Sequence, residues 1–278
     1  LSFLMCRSEE ARWQTPLKQA TGAQTMAVKT QATAEIQVAS NTLECTPIGL
    51  QVIRGQRISL ARAAPEYLEF IYTCYQNDAF MDLYRLAQNR TATKQDILHR
   101  LEDEQTKLPQ ELKRIEWVIL KHEQGQHVPI GLAALADYQG SHRRAEFLLG
   151  IPSTLNRAGS LSLEASLLVF DFAFNQAGLH KVTSLVYGYN AYAQKNTIHL
   201  GFKQEGFLED HIHVNNQFID LYQNGLLCSN FQNNQKLSRL SRRLLKRDIT
   251  QPQSPRITPA SQALIEQLSR QFKTPSNI

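Results

Sequence analysis

Long apolar runs are missing from this chain of 278 residues. No window offers the roughly 18 apolar residues that a membrane-crossing helix needs. Cysteine is scarce: Cys6, Cys45, Cys74 and Cys228 lie far apart, without a CxxC pair. That pattern excludes a disulfide framework or a thiolate metal site as a reading, and predicts free thiols in a reducing, cytoplasmic setting. His99, His122, His127, His142, His180, His199 and His213 show no metal-ligand spacing, so no metal is expected. The apolar start Leu1–Met5 is too short for a signal-peptide core and runs into Arg7–Arg12. No internal repeat is present. Large apolar residues at helical spacing are also missing from Gln14 to Thr46, a stretch rich in Gln, Thr, Ala and Ser. Such a segment cannot bury enough surface to offset its ordering entropy, so residues 1–49 are expected to form a disordered leader. The chain opens on Leu1 rather than Met, which leaves open whether that leader belongs to the native protein.

What is present suits a soluble globular protein: 42% apolar and 20% charged residues. The net charge of +5 is concentrated toward the C-terminal third. It is compatible with RNA, ribosomes, acidic proteins or phosphate-rich ligands, and alone it chooses among none of them. Order is expected from about Leu50. Residues 56–62 alternate like a half-buried strand, and Pro65 opens a helix to Tyr75. Thr93 caps a second helix to about Glu104. Residues 115–121, 128–136 and 143–151 read as strands, and 160–177 as a strongly apolar helix. A strand at 181–187, a short helix from Asn190 and strands at 202–208 and 218–222 follow. The order is β-α-α-β-β-β-α-β-α-β-β, an α/β sandwich on a mixed, mostly antiparallel sheet flanked by helices. Beyond Leu227 come a basic amphipathic helix, Gln235–Arg247, a Pro-containing linker through Pro259, and a short helix at 260–272.

The most informative stretch runs from Asn190 to Phe202. Asn190 is a good N-cap because its side-chain oxygen accepts from a free first-turn amide. Gly201 stands where a left-handed C-cap is cheap. Asn190, then Ala193, then Gly201-Phe202, between two strands, resembles the second half of the acetyl-CoA-binding core of the GNAT superfamily of N-acetyltransferases. The resemblance covers about residues 52–227. It implies one acyltransferase domain at 50–228 with a basic helical tail at 229–278, acetyl-CoA as co-substrate, and an amine as acceptor. The closing segments Gly201–His211, Phe218–Tyr222 and Gly225–Leu227 resemble the RimJ/RimL branch, which acts on ribosomal-protein N-termini. The same branch includes enzymes acting on small amines.

The resemblance also implies site residues. A loop at a helix N-terminus holds the diphosphate of CoA, where free amides and the helix dipole favour anions. Here it corresponds to Arg157, Gly159, Ser160, Leu161 and Ser162, with serines where the family most often has glycine. The strand Ala145–Ile151 would pair with the pantetheine arm through Leu149, Gly150 and Ile151, and an amide there would polarise the thioester carbonyl. Gly150 is expected to permit a bulge. Asn190, Ala193 and Asn196 would hold the arm from the other side. Glu146 is the candidate general base, or else a structural carboxylate paired with Arg143 or Arg144. Glu164 ranks below it, as a partner of the helix dipole. Thr197 stands where many relatives carry a tyrosine that protonates the thiolate. His211 and Asp220 line the acceptor side or pair across the hairpin.

Two rival readings remain. Ser160, Ser162 and Thr197 motivate a CoA-binding regulator without turnover. The basic run Lys236–Arg247 motivates a ribosome- or RNA-associated module, although its leucines could equally dock on the domain.

Overall fold

The structure, a computed structural model, describes residues 52–85, 92–107, 111–153, 156, 160–214 and 216–251. The leader, residues 252–259 of the linker, the 260–272 helix, Arg157 and Gly159 lie outside the described residues. A short pair, β1 (Ile53–Arg54) and β2 (Ile58–Arg62), opens the domain. After a 3-10 turn at Pro65–Tyr67 come α1 (Leu68–Tyr75), α2 (Asp78–Tyr84) and α3 (Lys94–Thr106). Strands β3 (Ile115–Glu123), β4 (Gln126–Gln139) and β5 (Arg144–Gly150) form a meander. Helix α4 (Leu161–Asp171) widens into a π turn at Phe172–Gln176. Then come β6 (Lys181–Tyr187), α5 (Ala191–His199), the hairpin β7 (Lys203–Val214) and β8 (Gln217–Leu227), α6 (Cys228–Gln232) and α7 (Gln235–Leu245).

The strands make one sheet in the order β1-β2-β3-β4-β5-β6-β8-β7. Among the described residues each neighbouring pair is antiparallel except β5–β6, which is parallel. The expected α/β sandwich is therefore present, with extra elements at β1, α2 and α6. On one face α4 is buried with Phe147, Phe170, Phe202 and Trp117, whose ring meets Phe172 edge-on at 5.1 Å. On the other face α1, α2 and α3 cover Val118, Leu132, Ala134 and Leu148. The alternation of β5 sends Ala145, Phe147 and Ile151 to the first face and Leu148 to the second.

Local chemistry explains several boundaries. Thr93 and Asp96 form a reciprocal capping box at α3. The β3–β4 turn places Gln124 and Gly125 at φ 48° and 80°, the left-handed pair that a tight hairpin demands. Helix α7 belongs to the main core: Leu237, Leu245 and the following Ile249 are buried in it. Arg247 Nη2 donates to Asp171 Oδ2 at 2.7 Å, and Asn175 Nδ2 donates to the Ile249 carbonyl at 2.8 Å. The expected bulge at Gly150 is absent, since Leu149 and Gly150 face Ala133 and Leu132 in unbroken register. Glycine is needed there for another reason. A Cβ on Gly150 would lie 2.5 Å from Cε2 of Phe80, so α2 rests directly on this strand. The irregularity of this pair falls instead between Ala136 and Gln139.

Candidate active site

The parallel ladder between β5 and β6 is short. It pairs Arg144–Glu146 with Lys181–Thr183 and then stops. Beyond it β5 continues to Gly150 against β4, and β6 continues to Tyr187 against β8. The two strands splay, and the gap is a cleft of about 460 Å³. Leu149, Gly150 and Ile151 line one wall, Asn190, Ala193 and Asn196 the other, and Ser160 and Ser162 one end. The residues expected to hold a CoA arm are thus brought together, with two exceptions. Leu161 points into the core, where it is buried, and Arg157 and Gly159 lie outside the described residues.

Helix α5 is placed by its ends. The Asn190 side chain accepts from the Ala193 amide at 3.0 Å, the cap its position predicts. Gly201 adopts φ +94°, and its backbone lies against Asn234, the N-cap of α7. No residue within α5 is buried. A reciprocal amide pair supplies the anchor: Gln194 and the fully buried Asn224 exchange two hydrogen bonds of 2.9 Å. Asn224 Nδ2 also lies 3.1 Å from the Ser184 carbonyl on β6, so this pair ties α5 to both strands of that wall.

Helix α4 presents its N-terminus to the same cleft. Ser160 sits at φ +20°, a backbone conformation that side chains disfavour. Its hydroxyl does not cap the helix; it accepts from Arg57 Nη2 at 2.7 Å. Glu164, expected as a dipole partner, is fully buried. Its Oε1 accepts from the amides of Gln56 at 2.6 Å and Arg57 at 2.9 Å, and its Oε2 from Arg57 Nε at 3.2 Å. It therefore braces the β1–β2 turn against α4.

Glu146 belongs to the last paired position before the strands part. Its side chain is 15% exposed, and its ion partner is Arg85, at 4.0 Å. The expected pairing with Arg143 or Arg144 is not formed: Arg143 holds the Gly178 carbonyl and Arg144 holds Asp137. Burial raises the Glu146 carboxyl above the ordinary carboxylate range; Asp137 adds to the rise, while Arg85 and Arg114 oppose it. A second buried carboxylate, Glu116, behaves in the opposite way. Burial would push it up, yet Arg114 and Arg100, with the Tyr75 and Tyr84 hydroxyls, hold it below the usual range. Tyr75 donates at 2.9 Å and Tyr84 at 3.3 Å. His211 is exposed, and Asp220 Oδ1 accepts from the Asp210 amide at 2.8 Å, so these two do not pair with each other.

The sequence reading missed α2, which supplies Phe80, Leu83 and Tyr84 to the cleft. Its signal was Asn77, whose side chain accepts from the Phe80 amide at 2.9 Å, followed by apolar positions at helical spacing.

The family model described as an acetyltransferase (GNAT) domain matches residues 57–203, more than half of the chain. The chain belongs to the GNAT acetyltransferase family. This acetyltransferase is similar to the uncharacterised N-acetyltransferase YoaA of Bacillus subtilis (strain 168), at 27% identity over 165 residues, 59% of this chain and 89% of that one. Among solved structures, the spermidine N-acetyltransferase of Vibrio cholerae in complex with CoA and spermine gives a TM-score of 0.55 at 22% identity, covering 64% of this chain and 99% of that one. The dodecameric form of the V. cholerae enzyme in an intermediate state gives 0.53 at 21% identity, over 64% and 97%. These likenesses establish the fold. The GNAT protein is an acetyl-CoA-dependent N-acetyltransferase. Its cleft fits the cofactor: two strand edges part over a narrow gap, and a helix N-terminus closes one end. No helix among the described residues is long and apolar enough to cross a membrane.

Proposed function

We propose that this acetyltransferase moves the acetyl group to a primary amine that enters from the α2 side of the cleft, with Glu146 as the proton acceptor. The observation that carries this reading is a buried carboxyl, raised above its ordinary range, at the point where β5 and β6 part. Glu146, directly or through one water, takes a proton from the incoming ammonium. The freed nitrogen attacks the thioester carbonyl carbon, and the backbone amide of Leu149 stabilises the oxyanion. The carbon–sulfur bond then breaks, the CoA thiolate leaves, and the second proton of the attacking nitrogen passes to that thiolate or to water, giving the neutral amide. Thr197 lines the cleft where many relatives carry tyrosine; its hydroxyl is too weak an acid to protonate the thiolate, which is itself a fair leaving group. Leu149, Gly150 and Ile151 bind the arm along one edge, and Asn190, Ala193 and Asn196 along the other. Ser160, Leu161 and Ser162, with Arg157 and Gly159, receive the diphosphate at the N-terminus of α4.

The RimJ/RimL-type resemblance supports a polypeptide N-terminus as acceptor. Polyamines, named for the V. cholerae structures, form the other acceptor class to test. Thermal stability with acetyl-CoA, against CoA and desulfo-CoA, followed by thiol release with mixed peptides and amines, tests the reading. A ligand at about 100 times its Kd stabilises by roughly 2.7 kcal/mol. Stabilisation with thiol release, abolished in Glu146→Gln, is the expected result; stabilisation with full release in that variant contradicts the assignment of the base.

A second reading concerns α7. Lys236, Arg239, Arg243 and Lys246 are exposed, while Leu237 and Leu245 on the same helix are buried. This cationic face would contact ribosomal RNA near an N-terminal substrate. Its test is the salt dependence of RNA binding, which should fall off with a log–log slope of about −0.7 per phosphate contact. A flat salt response removes the RNA reading.

A further inference from the structure

The cleft has no charged lining residue among those described. Its polar side chains carry hydroxyls and amides, from serines, Thr197, three tyrosines, Asn190 and Asn196. The acids nearby are engaged elsewhere. Asp137 is paired with Arg144, Glu116 is enclosed by Arg100 and Arg114, and Asp78 and Asp82 of α2 do not line the cleft. Glu146 alone stands at the point of splay, with Arg85 at 4.0 Å.

The rim of the cleft has a second peculiarity. Leu83 is 44% exposed, Leu185 37% and Tyr192 78%, and all three line the opening. Tyr189, stacked on Tyr187 at 5.6 Å, reaches across and donates its hydroxyl to the Asp82 carbonyl at 2.5 Å. Apolar and aromatic side chains from α2, β6 and α5 thus gather at one mouth, beside a site for a single cation. Large apolar groups left in water around a cleft mark a ligand surface.

On the acetyl-transfer reading given above, we infer that the acceptor carries one ammonium group next to an apolar or aromatic body, and that polyamines are poor substrates. One carboxylate can receive one ammonium. A further ammonium on the same chain would lie against Leu83, Leu185 and Tyr192, with no carboxylate among the described lining residues to meet it, and setting an unpaired charge on an apolar surface is unfavourable. An apolar flank, by contrast, covers Leu83, Leu185 and Tyr192 on binding. A polypeptide beginning with an apolar residue and a small arylalkylamine share this chemistry.

The test compares kcat/KM of the full chain, with saturating acetyl-CoA, for the peptide Met-Leu-Phe, for phenethylamine and for spermidine. At least one mono-amine is expected to exceed spermidine tenfold or more, and the two mono-amine arms separate a peptide from a small-molecule source. Leu83→Glu, at an exposed position that tolerates the change, is expected to narrow that ratio about tenfold while acetyl-CoA still stabilises the protein. Spermidine turned over as well as the mono-amines overturns the inference, as does acetyl-CoA binding without turnover of either mono-amine. An absence of acetyl-CoA binding overturns the acetyl-transfer reading beneath it instead.

Discussion

The two helices that flank the cleft are held in opposite ways. Helix α4 is buried along most of its length, from Leu161 and Glu164 to Asp171. Phe170 alone meets Phe147 at 5.0 Å and Phe202 at 5.7 Å, Glu164 braces the β1–β2 turn, and Asp171 holds Arg247. Helix α5 buries no residue, and rests on the Asn190 cap, the Gln194–Asn224 pair and the Leu200–Phe202 segment that follows it. One wall is therefore built by the fold and the other is attached to it. Substitutions in α4 should read out as stability. Substitutions in α5 should read out mainly as cofactor binding.

The largest expected effect lies between these helices. Glu146→Gln should lower kcat by about 10²–10⁴-fold, as loss of a general base does. The raised carboxyl means that the folded state disfavours the charged form, so the neutral variant should be no less stable. In the wild type, turnover should fall as pH drops through this raised value, because protonation removes the base. A pH–rate profile of both proteins checks this.

The contrast itself is sharpened by a pair of truncations. Phe170→Ala in α4 should cost about 3–5 kcal/mol by urea unfolding, from lost burial and a cavity. Ile198→Ala on the exposed side of α5, where the side chain is 44% exposed, should stay within about 0.5 kcal/mol. Equal losses would break the distinction. Glu164→Gln should cost about 1–3 kcal/mol, since it weakens a buried acceptor of two amides and Arg57. A loss of about 1 kcal/mol is expected for Asn190→Ala, which removes the N-cap of α5. Its main signature should be a raised KM for acetyl-CoA.

Much of this was legible in the chain. The bounds of β6 and α5 follow from an apolar run, an Asn cap and a glycine in the left-handed region, all of them local signals. Helix α2 was not read because it is brief and follows α1 within a few residues. The partner of Glu146 could not be read either: nearby arginines compete on paper, but folding brings up Arg85 from α2's end. Glu164 accepts from an amide 108 positions away, and Gln194 pairs with Asn224 across 30. Such pairings depend on how layers stack, and a single sequence carries no local mark of them. Gly150 shows the same limit, because its small size answers a ring of another element and not its own strand.

Amide hydrogen exchange with and without acetyl-CoA tests the central claim, that the cleft between β5 and β6 holds the cofactor against one fixed and one attached wall. Amides of α4 should exchange slowly in both conditions, while those of residues 191–200 should exchange readily alone and slow markedly with acetyl-CoA. Unchanged exchange in α5 when acetyl-CoA is bound, or new protection confined to segments away from this cleft, would contradict the account.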